Sequence, residues 1–129
     1  GPELKTFSFA IAKAAAVAAE ELNVKAIACF TMGGGTARLL KSQRPRRTVL
    51  AFTPELRTYR RMALYRGITP VHTDVVYETD ALIKGVEEEL LATGMGRRGD
   101  HVIIVMGVPA GVGTPTNMIK FHAIPYEGD

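Results

Sequence analysis

Residues 31–36, TMGGGT, are the part of this sequence best suited to bind a ligand, since they follow an apolar run and precede a segment of helical composition. Three consecutive glycines weaken both neighbouring elements, so a bare backbone must be needed there. Their amides could approach an anion closely, the hydroxyls of Thr31 and Thr36 could donate to it, and the N-terminus of the next helix favours negative charge. Phosphate is therefore the natural ligand. The alternative is a tight left-handed turn that merely joins a strand to a helix.

A second glycine-rich loop, residues 107–117, also follows an apolar run. Ligands of open α/β sheets bind beyond the carboxyl ends of the strands, so two such loops at one edge favour a pocket over a simple reversal of the chain. Neither loop matches GxxxxGK[ST] or GxGxxG, the two nucleotide-binding fingerprints. The predicted phosphate-binding residues are Thr31, Met32, Gly33, Gly34, Gly35, Thr36, Gly111, Gly113 and Thr114.

Candidates for catalysis and metal binding are few. His72, His101 and His122 are scattered, and no HxxxH, HExxH or CxxC spacing could hold a metal. No GxSxG sequence marks a nucleophilic serine, and the acidic run at residues 87–89 suits a solvated helix face. Cys29 lies in an apolar run, which predicts a buried, reduced thiol. We therefore expect no catalytic residue, no metal site and no cofactor in this chain.

Length and composition predict one domain over residues 1–129, with Gly1 and Pro2 interpreted as a candidate tag remnant. The formal net charge is +3, and the arginine clusters lack interleaved aromatic residues, so a solvated basic face is expected rather than a nucleic-acid partner. The longest apolar stretch, residues 7–19, is too short to cross a bilayer, so no membrane partner is expected. A single cysteine suits a reducing, cytoplasmic compartment.

The hydrophobic pattern predicts alternating helices and strands. Helices are expected at residues 7–22, 37–42, 55–65 (capped by Thr53 and Pro54) and from a cap at Thr79 or Asp80 to residues 91–93. Strands are expected at residues 25–30, 48–52, 68–71, 102–106 and 117–124. The fourth strand, apolar at consecutive positions, is predicted to be the sheet centre, and the short connection after it makes the last strand antiparallel. The fold class is a three-layer α/β/α domain with a mixed, mostly parallel five-stranded sheet.

Four segments resemble the C-terminal domain of pyruvate kinase in order, spacing and residue types. They are EELNVKAI at residues 20–27, TMGGGTARLLKSQRP at 31–45, AFTPELRTYRRMALYRGITPV at 51–71 and GDHVIIVMGVPAGVGTPTNMIKFH at 99–122. The resemblance spans residues 7–124. It implies the same fold, an α/β unit with a mixed five-stranded sheet.

The resemblance also implies a function in regulation and assembly. Such domains bind allosteric effectors, commonly phosphorylated sugars, while a separate barrel domain uses Mg²⁺ and K⁺ in phosphoryl transfer from phosphoenolpyruvate to ADP. The family's turn usually reads Thr-x-Ser-Gly-x-Ser/Thr, which Thr31, Gly34 and Thr36 fit. Gly33 replaces the serine and removes one hydroxyl donor. The chain alone is expected to be non-catalytic, with the catalytic barrel as its partner in a full-length protein.

The last strand predicts self-association. An exposed edge at residues 117–124 could pair with the same strand of a two-fold mate, and the resemblance implies a homo-oligomer that uses this strand and the helices. Two alternatives remain open at this point. The chain could be a free-standing relative that binds a phosphorylated metabolite or acts only in assembly, or a small enzyme that performs phosphoester chemistry in the glycine-loop pocket.

Overall fold

The computed structural model describes the backbone of residues 2–75, 77–107 and 116–127, and within these ranges the side chains from residue 7 onward. The helices are α1 (Pro2–Glu21), α2 (Gly35–Ser42), α3 (Leu56–Met62) and α4 (Thr79–Thr93). The strands are β1 (Ala26–Phe30), β2 (Thr48–Thr53), β3 (Ile68–His72), β4 (His101–Met106) and β5 (Met118–Ala123). No helix of the described residues has the length and apolar character needed to cross a bilayer.

The five strands form one mixed sheet in the order β3-β2-β1-β4-β5. β1, β2, β3 and β4 run parallel, and β5 pairs antiparallel with β4 at one edge. The predicted sheet with an antiparallel last strand is confirmed. The prediction that β4 is the sheet centre is wrong, because β1 is the middle strand and β4 lies between β1 and β5. An apolar run shows that both faces of a strand are covered, which holds for β1 and β4 alike.

Helices cover both faces of the sheet, which makes the predicted three layers. One buried cluster joins α1, α2 and α3 to the strands through Ala12, Ala15, Ala19, Ile27, Cys29, Leu40, Val49, Met62, Ile103 and Val105. The other joins α4 to the opposite face through Ala28, Leu50, Phe52, Leu82, Val86, Leu90, Ile104 and Met106. Successive residues of β1, β2 and β4 alternate between the two clusters, as the pleat of a strand requires.

Several predicted element ends differ from those observed. Helix α1 begins at Pro2, so this residue belongs to the helix. Thr53 does not cap α3, because it is still paired in β2 and the N-cap is Glu55. The Thr53 hydroxyl instead accepts the Glu55 N–H at 3.2 Å. Neither Thr79 nor Asp80 caps α4, since Glu78 precedes that helix and makes no side-chain cap bond.

Candidate functional site

The glycine turn begins where β1 leaves the sheet at its carboxyl end. The N–H of Thr31 still donates to the carbonyl of Phe52 on β2 at 3.0 Å. The Thr31 hydroxyl oxygen then accepts the N–H of Gly34 at 2.8 Å, which closes a tight turn. Gly34 is the N-cap of α2, which begins at Gly35. One of the two predicted hydroxyls thus accepts a bond within the turn, and the Gly34 amide is directed at Thr31 rather than outward.

Only one of the three glycines is required by the backbone. Gly34 has φ +90°, and a Cβ there would lie 3.3 Å from an Arg38 guanidinium nitrogen. Among the described residues, and apart from the chain neighbours, a Cβ on Gly33 would meet nothing within 4 Å, and one on Gly35 would meet only Arg38 at 3.9 Å. The left-handed turn considered for this segment therefore accounts for Gly34 alone. With respect to the part of the chain that the structure describes, Gly33 and Gly35 border open space, where a bare backbone allows a ligand to approach.

The N-terminal turn of α2 offers backbone donors beside that space. The first amides of a helix have no acceptor within the helix. Among the described residues, no acceptor is found for the backbone amides of Gly35 and Thr36. The backbone N–H of Arg38, by contrast, donates to the carbonyl oxygen of Gly34. The first turn of α2 contains no acidic side chain. These donors and the helix dipole together favour an anion.

The Thr36 hydroxyl, the second of the two hydroxyls predicted to bind a ligand, connects the turn to the segment before β5. Thr36 Oγ1 lies 2.7 Å from Thr116 Oγ1. Thr116 is buried, and its carbonyl accepts the Ser8 hydroxyl of α1 at 3.3 Å. Sequence reasoning missed Thr116, because nothing in the local pattern distinguishes it from other residues before β5. The predicted residues Gly111, Gly113 and Thr114 lie outside the described residues.

Three helical side chains donate to carbonyls of the turn. Thr58 of α3, a buried residue, donates its hydroxyl to the carbonyl of Met32 at 2.6 Å. Arg38 of α2 and Arg61 of α3 each direct a guanidinium nitrogen at the carbonyl oxygen of Gly33, at 3.4 and 3.5 Å. Sequence reasoning missed all three. The tertiary packing of α3 brings Thr58 and Arg61 to the turn, whereas Arg38 follows the turn directly in the sequence. The Met32 side chain is 43% exposed and could contact a ligand.

The remaining reactive side chains lie in other environments. Cys29 is fully buried in β1, and desolvation raises the pKa of its thiol to about 12. His122 Nε2 lies 2.6 Å from a carboxylate oxygen of Glu87, so the solvated face predicted for Glu87 is wrong. His101 stacks on Phe121 with ring centroids 4.8 Å apart. In the described part of the chain, no three His, Cys, Asp or Glu residues are grouped closely enough to hold a metal ion.

Two cavities lie away from the glycine turn. One of about 530 Å³ opens at the amino ends of β2 and β3, where Lys41, Arg44 and Arg66 line it. Another of about 380 Å³ lies between α1 and residues 43–46. Cations at the carboxyl ends of helices complement the helix dipole, which accounts for Lys41 in the last turn of α2. Volume alone does not make either cavity a better candidate than the turn.

The fold and the turn together define an α/β domain with a candidate anion site at the carboxyl edge of a mixed sheet. Residues 9–122 match the family described as pyruvate kinase, alpha/beta domain, and the chain belongs to that family. This finding confirms the resemblance drawn from the sequence.

Proteins similar to this chain are named pyruvate kinase. One from Staphylococcus epidermidis is 39% identical over 118 residues, covering 92% of this chain and 20% of the relative. One from Clostridium acetobutylicum is 35% identical over 124 residues, covering 96% of this chain and 26% of the relative. The crystal structure of a pyruvate kinase from Cryptosporidium parvum has a TM-score of 0.82 at 27% identity, over 92% of this chain and 23% of that one. The chain thus spans about a fifth to a quarter of the length of these proteins.

Proposed function

We propose that this chain is the effector-binding and subunit-assembly domain of a pyruvate kinase. It binds a phosphorylated sugar or a similar anionic effector at the glycine turn and is not catalytic alone. The parent protein transfers a phosphoryl group from phosphoenolpyruvate to ADP in glycolysis, using Mg²⁺ and K⁺ in a barrel domain. Family membership and the names of much longer relatives support this proposal. An upstream reading frame that encodes no barrel would contradict the link to a catalytic parent.

The observation that carries the effector site is the open space beside Gly33 and Gly35. Within this turn the backbone requires glycine only at Gly34, since a Cβ at the other two positions would meet no close neighbour among the described residues. A phosphate in that space could accept from the amides of Gly35 and Thr36 and from the Thr36 hydroxyl. Hydrogen bonds to a charged group contribute about 1.5–3 kcal/mol each, so the hydroxyl that Gly33 lacks lowers the affinity.

The outer edge of β5 supports the assembly function. Cross-strand partners in an antiparallel pair share a face of the sheet, so Ile119 and Phe121 lie on the face covered by α1. Their exposed fractions are nevertheless 39% and 47%. Phe7 and Phe9 of α1 are also exposed. A two-fold mate that adds its own β5 would pair the open backbone edge and bury these side chains.

A thermal-shift panel tests the effector site. The probes are inorganic phosphate, fructose 1,6-bisphosphate, ribose 5-phosphate, glucose 6-phosphate and AMP, with unphosphorylated glucose as the matched control. A ligand at 100 times its Kd adds about 2.7 kcal/mol of stability, which raises Tm by several degrees. We expect at least one phosphorylated probe to raise Tm and glucose to have no effect. An unchanged Tm with every phosphorylated probe would contradict the proposal.

A further inference from the structure

Two arginines from different helices converge on one carbonyl of the glycine turn. Guanidinium nitrogens of Arg38 and Arg61 lie 3.4 and 3.5 Å from the Gly33 carbonyl oxygen. Both side chains are exposed. Neither forms an ion pair with any acidic side chain of the described residues. Each contact uses one N–H of a guanidinium that has five, so donors remain for a ligand.

The charge of Arg38 receives no stabilisation from the dipole of α2 or from an acidic residue in the first turn of that helix. Cations are stabilised at the C-terminus of a helix and destabilised near its N-terminus. The α3 dipole accounts for Arg61, which lies in the last turn of that helix. The dipole of α2 does not account for Arg38 in the same way, because Arg38 is the fourth residue of α2 and the first turn of that helix contains no acidic residue. Bringing a second guanidinium to the same carbonyl adds like-charge repulsion, which a bound anion would relieve.

We propose that Arg38 and Arg61 supply the charge that selects a dianionic phosphate monoester over a monoanionic phosphodiester at the glycine turn. The inference rests on the proposed effector site and adds residues and a ligand class to it. A phosphate monoester carries nearly two negative charges at pH 7, whereas a diester carries one. Two guanidinium groups beside the turn therefore favour the monoester. They also compensate for the hydroxyl that is missing at Gly33.

Calorimetric titration of four variants tests this inference. Glucose 6-phosphate is the dianionic probe and dimethyl phosphate the monoanionic one, both at pH 7.5 and one ionic strength. We expect Arg38→Gln and Arg61→Gln each to weaken glucose 6-phosphate binding about tenfold, with a smaller loss for dimethyl phosphate. Arg38→Lys should retain part of the affinity, because it keeps the charge but loses the planar fork. Arg57→Gln is the matched control, an exposed arginine of α3 for which no hydrogen bond to the turn is found among the described residues.

The outcomes separate the inference from the proposed function. If the wild-type chain binds glucose 6-phosphate and both Arg→Gln variants bind it equally well, the inference fails while the effector site stands. Equal losses in Arg57→Gln and in the other two variants would also overturn it, because only the overall positive field would then matter. If the wild-type chain binds no phosphorylated probe, both the inference and the proposed function fail. All the substituted arginines are exposed, so the variants should fold.

Discussion

The hydroxyl oxygens of Thr36 and Thr116 lie 2.7 Å apart although 80 positions separate the two residues in the chain. This contact joins the first turn of α2 to the segment immediately before β5. The carbonyl oxygen of Thr116 also accepts a hydrogen bond from the Ser8 hydroxyl of α1. The glycine turn is therefore connected both to the edge strand and to the long helix, and these are the elements proposed to take part in assembly.

Replacing Thr36 by valine should weaken phosphate binding without disturbing the shape of α2. The variant loses a hydroxyl that would donate to the phosphate, so affinity for glucose 6-phosphate should fall about tenfold. Thr116→Val breaks the same hydroxyl pair but leaves the Thr36 hydroxyl available, so it should bind more tightly than Thr36→Val. Thr69→Val, at an exposed position of β3, is the control. Unchanged affinity in Thr36→Val would remove this hydroxyl from the site.

Gly33→Ser should strengthen phosphate binding, because it restores a hydroxyl donor at a position with room for a side chain. Apart from its chain neighbours, no atom of the described residues lies within 4 Å of a Cβ built on Gly33. We expect affinity for glucose 6-phosphate to rise about tenfold, with Gly33→Ala giving no gain. Gly34→Ala is the steric contrast and should cost about 1 kcal/mol of stability or more, since φ is +90° there. If Gly33→Ser bound no better than Gly33→Ala, the restored hydroxyl would not reach a ligand.

A charge at Phe121 should prevent self-association. Phe121 is 47% exposed on the edge strand, so Phe121→Glu places a charge where the mate's β5 would pack. In sedimentation velocity at micromolar concentration, the wild-type chain should be a dimer or larger, and the variant a monomer. Leu64→Glu is the control, since Leu64 is 84% exposed and lies between α3 and β3. Assembly through β5 would be contradicted if the wild-type chain were a monomer, or if Phe121→Glu had the same oligomeric state as the wild type.

The burial of Cys29 should make stability fall in alkaline solution. Desolvation raises the pKa of the thiol from an ordinary value of 9.0 to about 12, so above pH 9 the unfolded chain loses a proton that the folded chain keeps. The contribution is fully present below pH 9 and declines as the pH rises from 9 towards 12, because unfolding then releases a proton. Urea unfolding at pH 8 and pH 10 should show a smaller stability difference between the wild type and Cys29→Ala at the higher pH. A constant difference would show that the thiol does not titrate in this way.

Much of the fold could be predicted because its signals are local. Apolar runs indicated the strands, and the short connection before β5 predicted its antiparallel direction. The middle position of β1 and the pairing of Thr53 in β2 could not be predicted, because each depends on which strands become neighbours. A favourable capping residue such as Thr53 does not begin a helix while its backbone is still bonded to an adjacent strand.

Some residues of the candidate site could be recognised in the sequence, and others could not. Its glycines are contiguous, so the turn could be recognised in the sequence. Thr58, Thr116 and Arg61 are brought to it from other elements, and their side chains carry no local signal for that position. Arg38 is only two residues beyond the turn, and a cation so near a helix N-terminus was a signal that could have been used.

Amide chemical-shift mapping tests the central claim most directly. In a titration of the isotope-labelled chain with glucose 6-phosphate, we predict saturable shifts of the amides of Gly33, Gly35 and Thr36, with unphosphorylated glucose producing none. Because Thr31 already accepts the Gly34 N–H, the Gly34 amide should shift less. Saturable shifts confined to residues around Lys41 and Arg66, at the opposite edge of the sheet, would contradict the account, and so would shifts that never saturate.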